Sequence, residues 1–253
     1  MTFWELRRSR ILVKTNLLNI KMKLIAIIPA RSGSKGLKDK NIIDLCGKPM
    51  IAYSIIAAKD SGLFDKILVS TDSTYYAEIA ESYGAEVILR DEALASDQAT
   101  SFMVIEDVLN KVGIDYNYFV LLQPTSPLRT STHIQEAAAK FEEKYATFDF
   151  LVSVKKSEFS KDLVNIIDED ESLKHFNKDF SNYCRQAYSY YSPNGAVFIG
   201  KPKAYLTQGH FFGARALSYI MNDTDSVDVD NRIDFELAKL LMEKRKDGTC
   251  FPD

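Results

Sequence analysis

Leu24-Ile25-Ala26-Ile27-Ile28-Pro29-Ala30-Arg31-Ser32-Gly33-Ser34-Lys35-Gly36-Leu37-Lys38-Asp39-Lys40-Asn41 decides how the chain is read. Leu24 to Ile28 are continuously apolar and β-branched-rich, the pattern of a strand buried on both faces of a parallel sheet. Pro29 removes a backbone donor and ends the ladder. A loop of small residues follows, with Arg31, Lys35, Lys38 and Lys40 as cations. Gly33, Ser34 and Gly36 let the backbone approach a ligand and turn N–H groups towards an anion. A buried strand feeding such a loop predicts a phosphate cradle at the carboxyl end of a sheet. It is neither a Walker loop, which needs Gly-Lys-Ser/Thr, nor a full Gly-x-Gly-x-x-Gly fingerprint. A solvated basic loop is the alternative reading.

Outward from this stretch, strands and helices alternate. Pro49 suits the first turn of a helix that Gly62 ends, and Lys66 to Ser70 form a second buried strand. Asp72 or Ser73 then caps a helix from Thr74 to Tyr83. Glu86 to Leu89 are a short strand. A helix from about Thr100 to Val112 buries Met103, Val104, Val108 and Leu109. Tyr118 to Leu122 are a very apolar strand running into Gln123-Pro124-Thr125-Ser126-Pro127-Leu128-Arg129, and Ser131 or Thr132 caps the next helix. Four strand–helix repeats predict an α/β fold: a doubly wound, mostly parallel sheet with its site at the strands' carboxyl ends.

After a strand at Phe148 to Val154, residues 155–191 are polar, aromatic and too long for an ordinary connection. They read as a lid or a dimer arm inserted in a single domain of residues 22–247. Asn194-Gly195 introduces a strand through Ile199, and Leu217 to Met221 are the last core strand. Residues 1–21, basic and broken in hydropathy, read as a disordered extension upstream of the natural start, with a short basic amphipathic segment as the alternative, and 248–253 as a tail.

The chain has 253 residues, and 46% of them are hydrophobic, enough for a sizeable core. A formal net charge of −3 argues against general nucleic-acid binding. The three cysteines, Cys46, Cys184 and Cys250, are far apart, which favours a reducing cytoplasm over a disulfide framework or zinc site. No apolar run approaches the ~20 residues that span a bilayer.

Val227-Asp228-Val229-Asp230 places two carboxylates on one side of an extended segment. Hard oxygen ligands of this kind suit Mg²⁺, which takes one or two carboxylates together with waters and substrate phosphates. A solvated acidic turn is the alternative reading.

The first loop, Val69–Asp72, Arg90 with Leu94–Asp97, Leu121–Arg129, Pro193–Gly200 and Asp225–Asp230 together resemble the acylneuraminate cytidylyltransferase (CMP-sialic acid synthetase) family, over about Lys23 to Lys244. The resemblance implies a Rossmann-like nucleotidyltransferase fold. The implied reaction transfers CMP from CTP to the anomeric hydroxyl of a nine-carbon 2-keto sugar acid, N-acetylneuraminate or a relative, with release of pyrophosphate. It implies Arg31 and Lys35 on the triphosphate, and Ala30, Ser34, Asn41, Arg90 and Ser101 around the nucleotide. Asp228 and Asp230 would hold Mg²⁺, or Mn²⁺ in its place, with Asp230 as a candidate base. Gln123, Phe198, Phe211 and Phe212 would line the sugar pocket. Lys161 and Arg185 would reach a partner's site in a homodimer with shared active sites. The sequence departs from the family pattern at Ser192, often arginine, and at Phe198, often a hydroxylated aromatic; both fall near the sugar. Legionaminate, pseudaminate or 3-deoxy-manno-octulosonate are alternative acids, and a silent nucleotide-binding protein is the alternative of another class.

Overall fold

A computed structural model of the chain describes residues 22–33, 36–96, 98–176, 179, 181 and 189–246. Ser34, Lys35 and Arg185, the expected extension 1–21 and the tail 248–253 lie outside the described residues.

Strand β1 (Leu24–Pro29) leads through the first loop to a two-residue hairpin, β2 (Asp44–Leu45) and β3 (Lys48–Pro49). Its turn residues Cys46 and Gly47 both have positive φ, as a tight hairpin of this type requires. Helix α1 (Met50–Ser61) follows, with Pro49 as its N-cap, one place earlier than the first turn. Gly62, at φ 67°, closes it by donating its N–H to the Lys59 carbonyl. Next come β4 (Lys66–Thr71), α2 (Thr74–Ser82), β5 (Glu86–Leu89), α3 (Ser101–Val112), β6 (Tyr118–Leu121) and α4 (Ser131–Glu143). The chain finishes with β7 (Phe150–Lys156), β8 (Tyr191–Gly200), α5 (Pro202–Gln208), β9 (Ala216–Ile220) and α6 (Arg232–Lys246).

The main sheet has the order β5-β4-β1-β6-β8-β7-β9. β1 is parallel to β4 and β6, and β4 to β5. β8 runs antiparallel between β6 and β7, and β9 is parallel to β7. The chain moves outward from β1 to β5, then returns to the other side of β1 at β6. The loops that leave β1 and β6 therefore diverge, which opens a crevice at their carboxyl ends.

Both faces of β1 are covered, as its unbroken apolar run requires. Leu24, Ala26 and Ile28 pack in one cluster with Ile51, Ile55, Ile134 and Phe141. Ile25 and Ile27 point the other way, against Ile105, Val108, Leu109 and Phe119. A third cluster joins Leu45, Met50 and Leu128 to Val227, Val229, Phe235 and Leu241. It fastens α6 and the segment before it to the edge of the crevice.

Several local expectations change. In α3 the buried stripe contains Ile105, while Met103 is exposed. Thr130, not Ser131 or Thr132, caps α4: its hydroxyl accepts from the His133 N–H, and His133 Nδ1 accepts in return from the Thr130 N–H. Asn194-Gly195 lies inside β8 as a bulge, with Gly195 at φ 76° and the β7 register shifted between Val152 and Val154. Helix α5 was not expected, because its seven residues, opening at Pro202, carry too little periodic signal. Among the described residues, no helix is long and apolar enough to cross a membrane.

Arg129 fixes the end of the β6 loop from inside the molecule. Its side chain is buried, and its guanidinium donates to the Gln123 carbonyl (3.2 Å), the Ala196 carbonyl (2.9 Å) and the Ser54 hydroxyl (2.5 Å). Burial lowers its pKa from the ordinary arginine range. Removing the cation recovers desolvation energy but strands these acceptors, at about 1–3 kcal/mol for each group left buried and unpaired. We expect Arg129→Met to lower the unfolding free energy by about 2–4 kcal/mol. Arg129→Lys should fail to restore it, because an ammonium cannot present the same planar fork. Urea unfolding midpoints check this, and an unchanged midpoint in Arg129→Met would show the guanidinium to be dispensable.

Candidate active site

The loop after β1 is held at several points. Pro29, expected to end the ladder, lies within β1 opposite Ser70, and Ala30 continues the ladder by donating its N–H to the Ser70 carbonyl. Ser32 donates its N–H to Asp72 Oδ1 (2.9 Å) and its hydroxyl to Asp72 Oδ2 (2.5 Å). Asn41 is buried and donates from Nδ2 to the Arg31 carbonyl at 2.9 Å, tying the loop's end to its beginning. Asp39 takes the left-handed conformation at φ 51° and accepts from the Tyr76 hydroxyl. Lys40 Nζ pairs with Asp230 Oδ1 at 2.9 Å. A Cβ on Gly36 would stand 2.6 Å from the Asp230 carbonyl oxygen. The close backbone approach at Gly36 is therefore to the acidic segment, where a ligand was expected.

The acidic segment is positioned by alternation. Val227 and Val229 enter the third hydrophobic cluster, which turns Asp228 and Asp230 to the opposite side. The Val229 N–H donates to the Thr125 carbonyl at 2.7 Å, joining this segment to the β6 loop. Asn194, buried in the β8 bulge, adds a second tie through its amide to Ser226 Oγ at 2.8 Å. A Cβ on Gly195 would lie 2.6 Å from Gln123 Oε1, 3.0 Å from Asp228 Oδ2 and 3.1 Å from Ser126 Oγ. Those three polar groups thus converge over the one residue without a side chain.

The result is a cleft of about 420 Å³ between the loops after β1, β5 and β6. Of the residues singled out in the sequence, Arg31, Asn41, Arg90, Ser101, Gln123 and Asp230 line it, joined by Lys40, Thr100 and Thr125. Ala30 is buried in the core cluster of β1. Phe198 and Phe211 lie in the hydrophobic core, their ring centroids 5.2 Å apart and with Phe211 4.6 Å from Tyr205. Phe212 is exposed, and Lys161 is exposed in a 3-10 turn, Lys161–Leu163. These four do not line the cleft of this chain, and neither do Ala30 and Asp228; Asp228 stands beside it, near Gln123 and Ser126.

Two features mark the cleft as a place for mixed charge. Arg90 is buried; desolvation lowers its pKa, with the Asp72 charge opposing and the Arg31 charge reinforcing that shift. Its Nε has no hydrogen-bond partner among the described residues. Asp228 Oδ1 is likewise buried and without a partner. Burial raises the Asp228 pKa, opposed by a hydrogen bond with Thr125 and reinforced by the Asp230 charge. A buried carboxylate oxygen that lacks a donor fits a hard cation, which would supply the missing positive charge. Among the described residues no group of three or more His, Cys, Asp or Glu side chains could hold a metal alone. A metal here would complete its shell with water and ligand oxygens, as Mg²⁺ commonly does.

Asp72 ends one of the stretches that carry the family resemblance, but the only role read for it was a possible helix cap. Ser73 makes that cap, accepting from the Tyr76 N–H, which frees Asp72 for Ser32. The signal that could have found it is its position: it ends a parallel strand adjacent to β1, where ligand-site residues gather.

Fold and site together define an α/β protein with a polar, charged cleft at the sheet's switch point. The chain belongs to the cytidylyltransferase family, whose model matches residues 25–247. It is 47% identical over 228 residues to the N-acylneuraminate cytidylyltransferase of Escherichia coli O18:K1:H7, covering 89% of this chain and 54% of that protein. The chain thus spans about half the length of that relative. The CMP-N,N'-diacetyllegionaminic acid synthase of Legionella pneumophila is 34% identical over 234 residues, 90% of this chain and 99% of that one. A solved CMP:2-keto-3-deoxy-manno-octonic acid synthetase complexed with CTP superposes with a TM-score of 0.67, covering 88% of this chain and 99% of that one. At 16% identity it supports the fold alone.

The contact at Gly36 has a direct test. We expect Gly36→Ala to push the first loop off the Asp230 backbone. Amide exchange should rise in 36–41 and 229–231 while the global unfolding midpoint stays near that of the parent. Exchange unchanged in both stretches would show that the two segments are not coupled there.

Proposed function

We propose that this chain transfers CMP from CTP to the anomeric hydroxyl of a nine-carbon 2-keto sugar acid and releases pyrophosphate. The observation that carries the reading is that Arg31, buried Arg90 and Asp230 line one cleft at the switch point, with an Asp228 oxygen that lacks a donor buried beside it, near Gln123. The names of the relatives support the substrate class. The first, at 47% identity, is an N-acylneuraminate cytidylyltransferase, so N-acetylneuraminate is the acid expected first.

In this reading Arg31 and Lys35 neutralise the triphosphate, and Asn41 holds the loop in shape by its bond to the Arg31 carbonyl. Attack at phosphorus builds charge on oxygens, so positioned cations do most of the protein's work. Arg90 and Ser101 flank the nucleotide, and Gln123 faces the sugar. Asp228 and Asp230 would hold Mg²⁺, or Mn²⁺, which when bound supplies charge neutralisation at the phosphates. Lys40 keeps Asp230 oriented until then. Asp230, whose side chain is 73% exposed, would take a proton from the incoming hydroxyl directly or through water.

The insertion at 155–191 is proposed to pair two copies and bring Lys161 and Arg185 to a partner's cleft. Phe159, Val164, Ile166, Ile167 and Leu173 are all exposed large apolar residues in it, a concentration that favours burial against another chain. Sedimentation should give twice the mass of one chain. A monomer at working concentration that retains full activity would remove the shared site.

Pyrophosphate release with CTP and a panel of sugar acids tests the function. The expected order is N-acetylneuraminate above legionaminate, with little activity on an eight-carbon acid; activity on the eight-carbon acid alone would overturn the substrate. We further expect Arg31→Ala to slow turnover roughly 10²–10³-fold. Asp228→Asn should abolish most of the Mg²⁺-dependent rate in a protein that still folds. Near-normal rate and metal dependence in Asp228→Asn would remove the metal assignment.

A further inference from the structure

Asp72 does more than any residue of its strand end needs to do for folding. It stands at the carboxyl end of β4, beside β1, with its side chain 14% exposed. Its two oxygens accept separately from the backbone N–H and the hydroxyl of Ser32, the residue after Arg31. The same carboxylate faces Arg90, whose Nη2 lies 3.9 Å from Oδ1. That distance exceeds the ~2.7–2.9 Å of a charge-assisted hydrogen bond, so the pair is electrostatic and leaves the guanidinium's donors for something else. Arg90 Nε, buried with no partner among the described residues, is one such donor. Arg31 and Arg90 are close enough for their charges to repel, and both line the cleft. Asp72 is the carboxylate that touches the loop of one and the head group of the other. Helix α2 does not require it, since Ser73 makes the cap.

We propose that Asp72 is a positioning residue for nucleoside triphosphate binding: it sets Arg31 through Ser32 and Arg90 through charge, so that both guanidinium groups meet the same nucleotide. The inference rests on the reading under Proposed function and adds a residue to it. Asp72 touches no reacting atom. Its two bonds to Ser32 also fix the residue after Arg31 before the ligand arrives, which reduces the ordering cost of binding.

The test uses the full chain and two readouts, CTP affinity by calorimetry and steady-state kinetics with N-acetylneuraminate. Asp72→Asn keeps the shape but removes the charge and one acceptor. We expect kcat/KM for CTP to fall on the order of 10²-fold, as for a catalytic group displaced by about 1 Å. KM for the sugar acid should stay within about twofold, since no sugar-facing group is moved. Ser32→Ala alone should also weaken CTP binding. Combined with Asp72→Asn it should add little, because both changes undo one arrangement. Ser73→Ala is the structural control: it should lower the melting temperature without changing KM for CTP.

An Asp72→Asn protein that melts earlier yet keeps the parent's kcat/KM for CTP would overturn the proposal. So would losses that multiply in the double variant. If Asp72→Asn does not fold, Ser32→Ala decides: unchanged CTP affinity in that variant overturns the proposal. A parent chain that binds no CTP would instead refute the functional reading itself, a result visible before any variant is made.

Discussion

A buried guanidinium with no carboxylate beside it among the described residues holds this molecule's working end together. Arg129 sits beneath the loop after β6 and donates to Gln123, to Ala196 in β8 and to Ser54 in α1. Three separate elements are thereby fixed relative to one another at the point where the sheet changes direction. The antiparallel strand β8 can then carry a bulge, and Gly195 in that bulge leaves room for Gln123, Ser126 and Asp228 to converge. The apolar alternation of Val227 and Val229 completes the arrangement by locking the acidic segment into the third cluster. Packing sets this geometry, and the charged groups inherit it.

Charge is distributed across the cleft in opposed sets. Arg31, Arg90 and Lys40 come from the loops after β1 and β5, while Asp230 faces them from the far side beyond β9, with Asp228 set back beside Gln123 and Ser126. Lys40 and Asp230 neutralise each other directly. Arg90 and Asp228 each keep one buried polar atom unpaired among the described residues. Leaving such atoms unmade costs about 1–3 kcal/mol apiece, a stored cost that a ligand carrying both anionic oxygens and a cation would relieve. A metal–triphosphate complex has that composition, and this is the physical content of the function proposed.

Much of the fold was legible in the sequence because its strands are strong signals. An unbroken apolar run such as Leu24–Ile28 has few alternatives to a strand covered on both faces. The α/β alternation followed from signals such as Pro49 and Gly62, which bound the first helix between two strands. Local capping was less legible. Ser73, Thr130 and the bulge at Asn194 depend on which of two or three adjacent polar residues turns inward, and tertiary packing decides that. The site was legible where charge stands in a glycine-rich loop, as at Arg31, or alternates with valine, as at Asp228. It was not legible at Asp72 and Arg129, whose partners lie 40 and 67 residues away in sequence at Ser32 and Ala196. The aromatic residues show the converse: Phe198 and Phe211 stand where a sugar wall was expected in the sequence, but Phe119, Phe150 and Tyr205 form an aromatic cluster around Phe211.

The central claim is that the two halves of the cleft close on one nucleotide–metal complex. Its most direct test is a crystal structure of the chain with CTP and Mn²⁺, read by the anomalous signal of the metal. The account predicts one strong peak bonded to the Asp228 carboxylate, with the triphosphate between it and Arg31. A triphosphate bound at the Arg31 loop with its metal elsewhere, and Asp228 untouched, would contradict it.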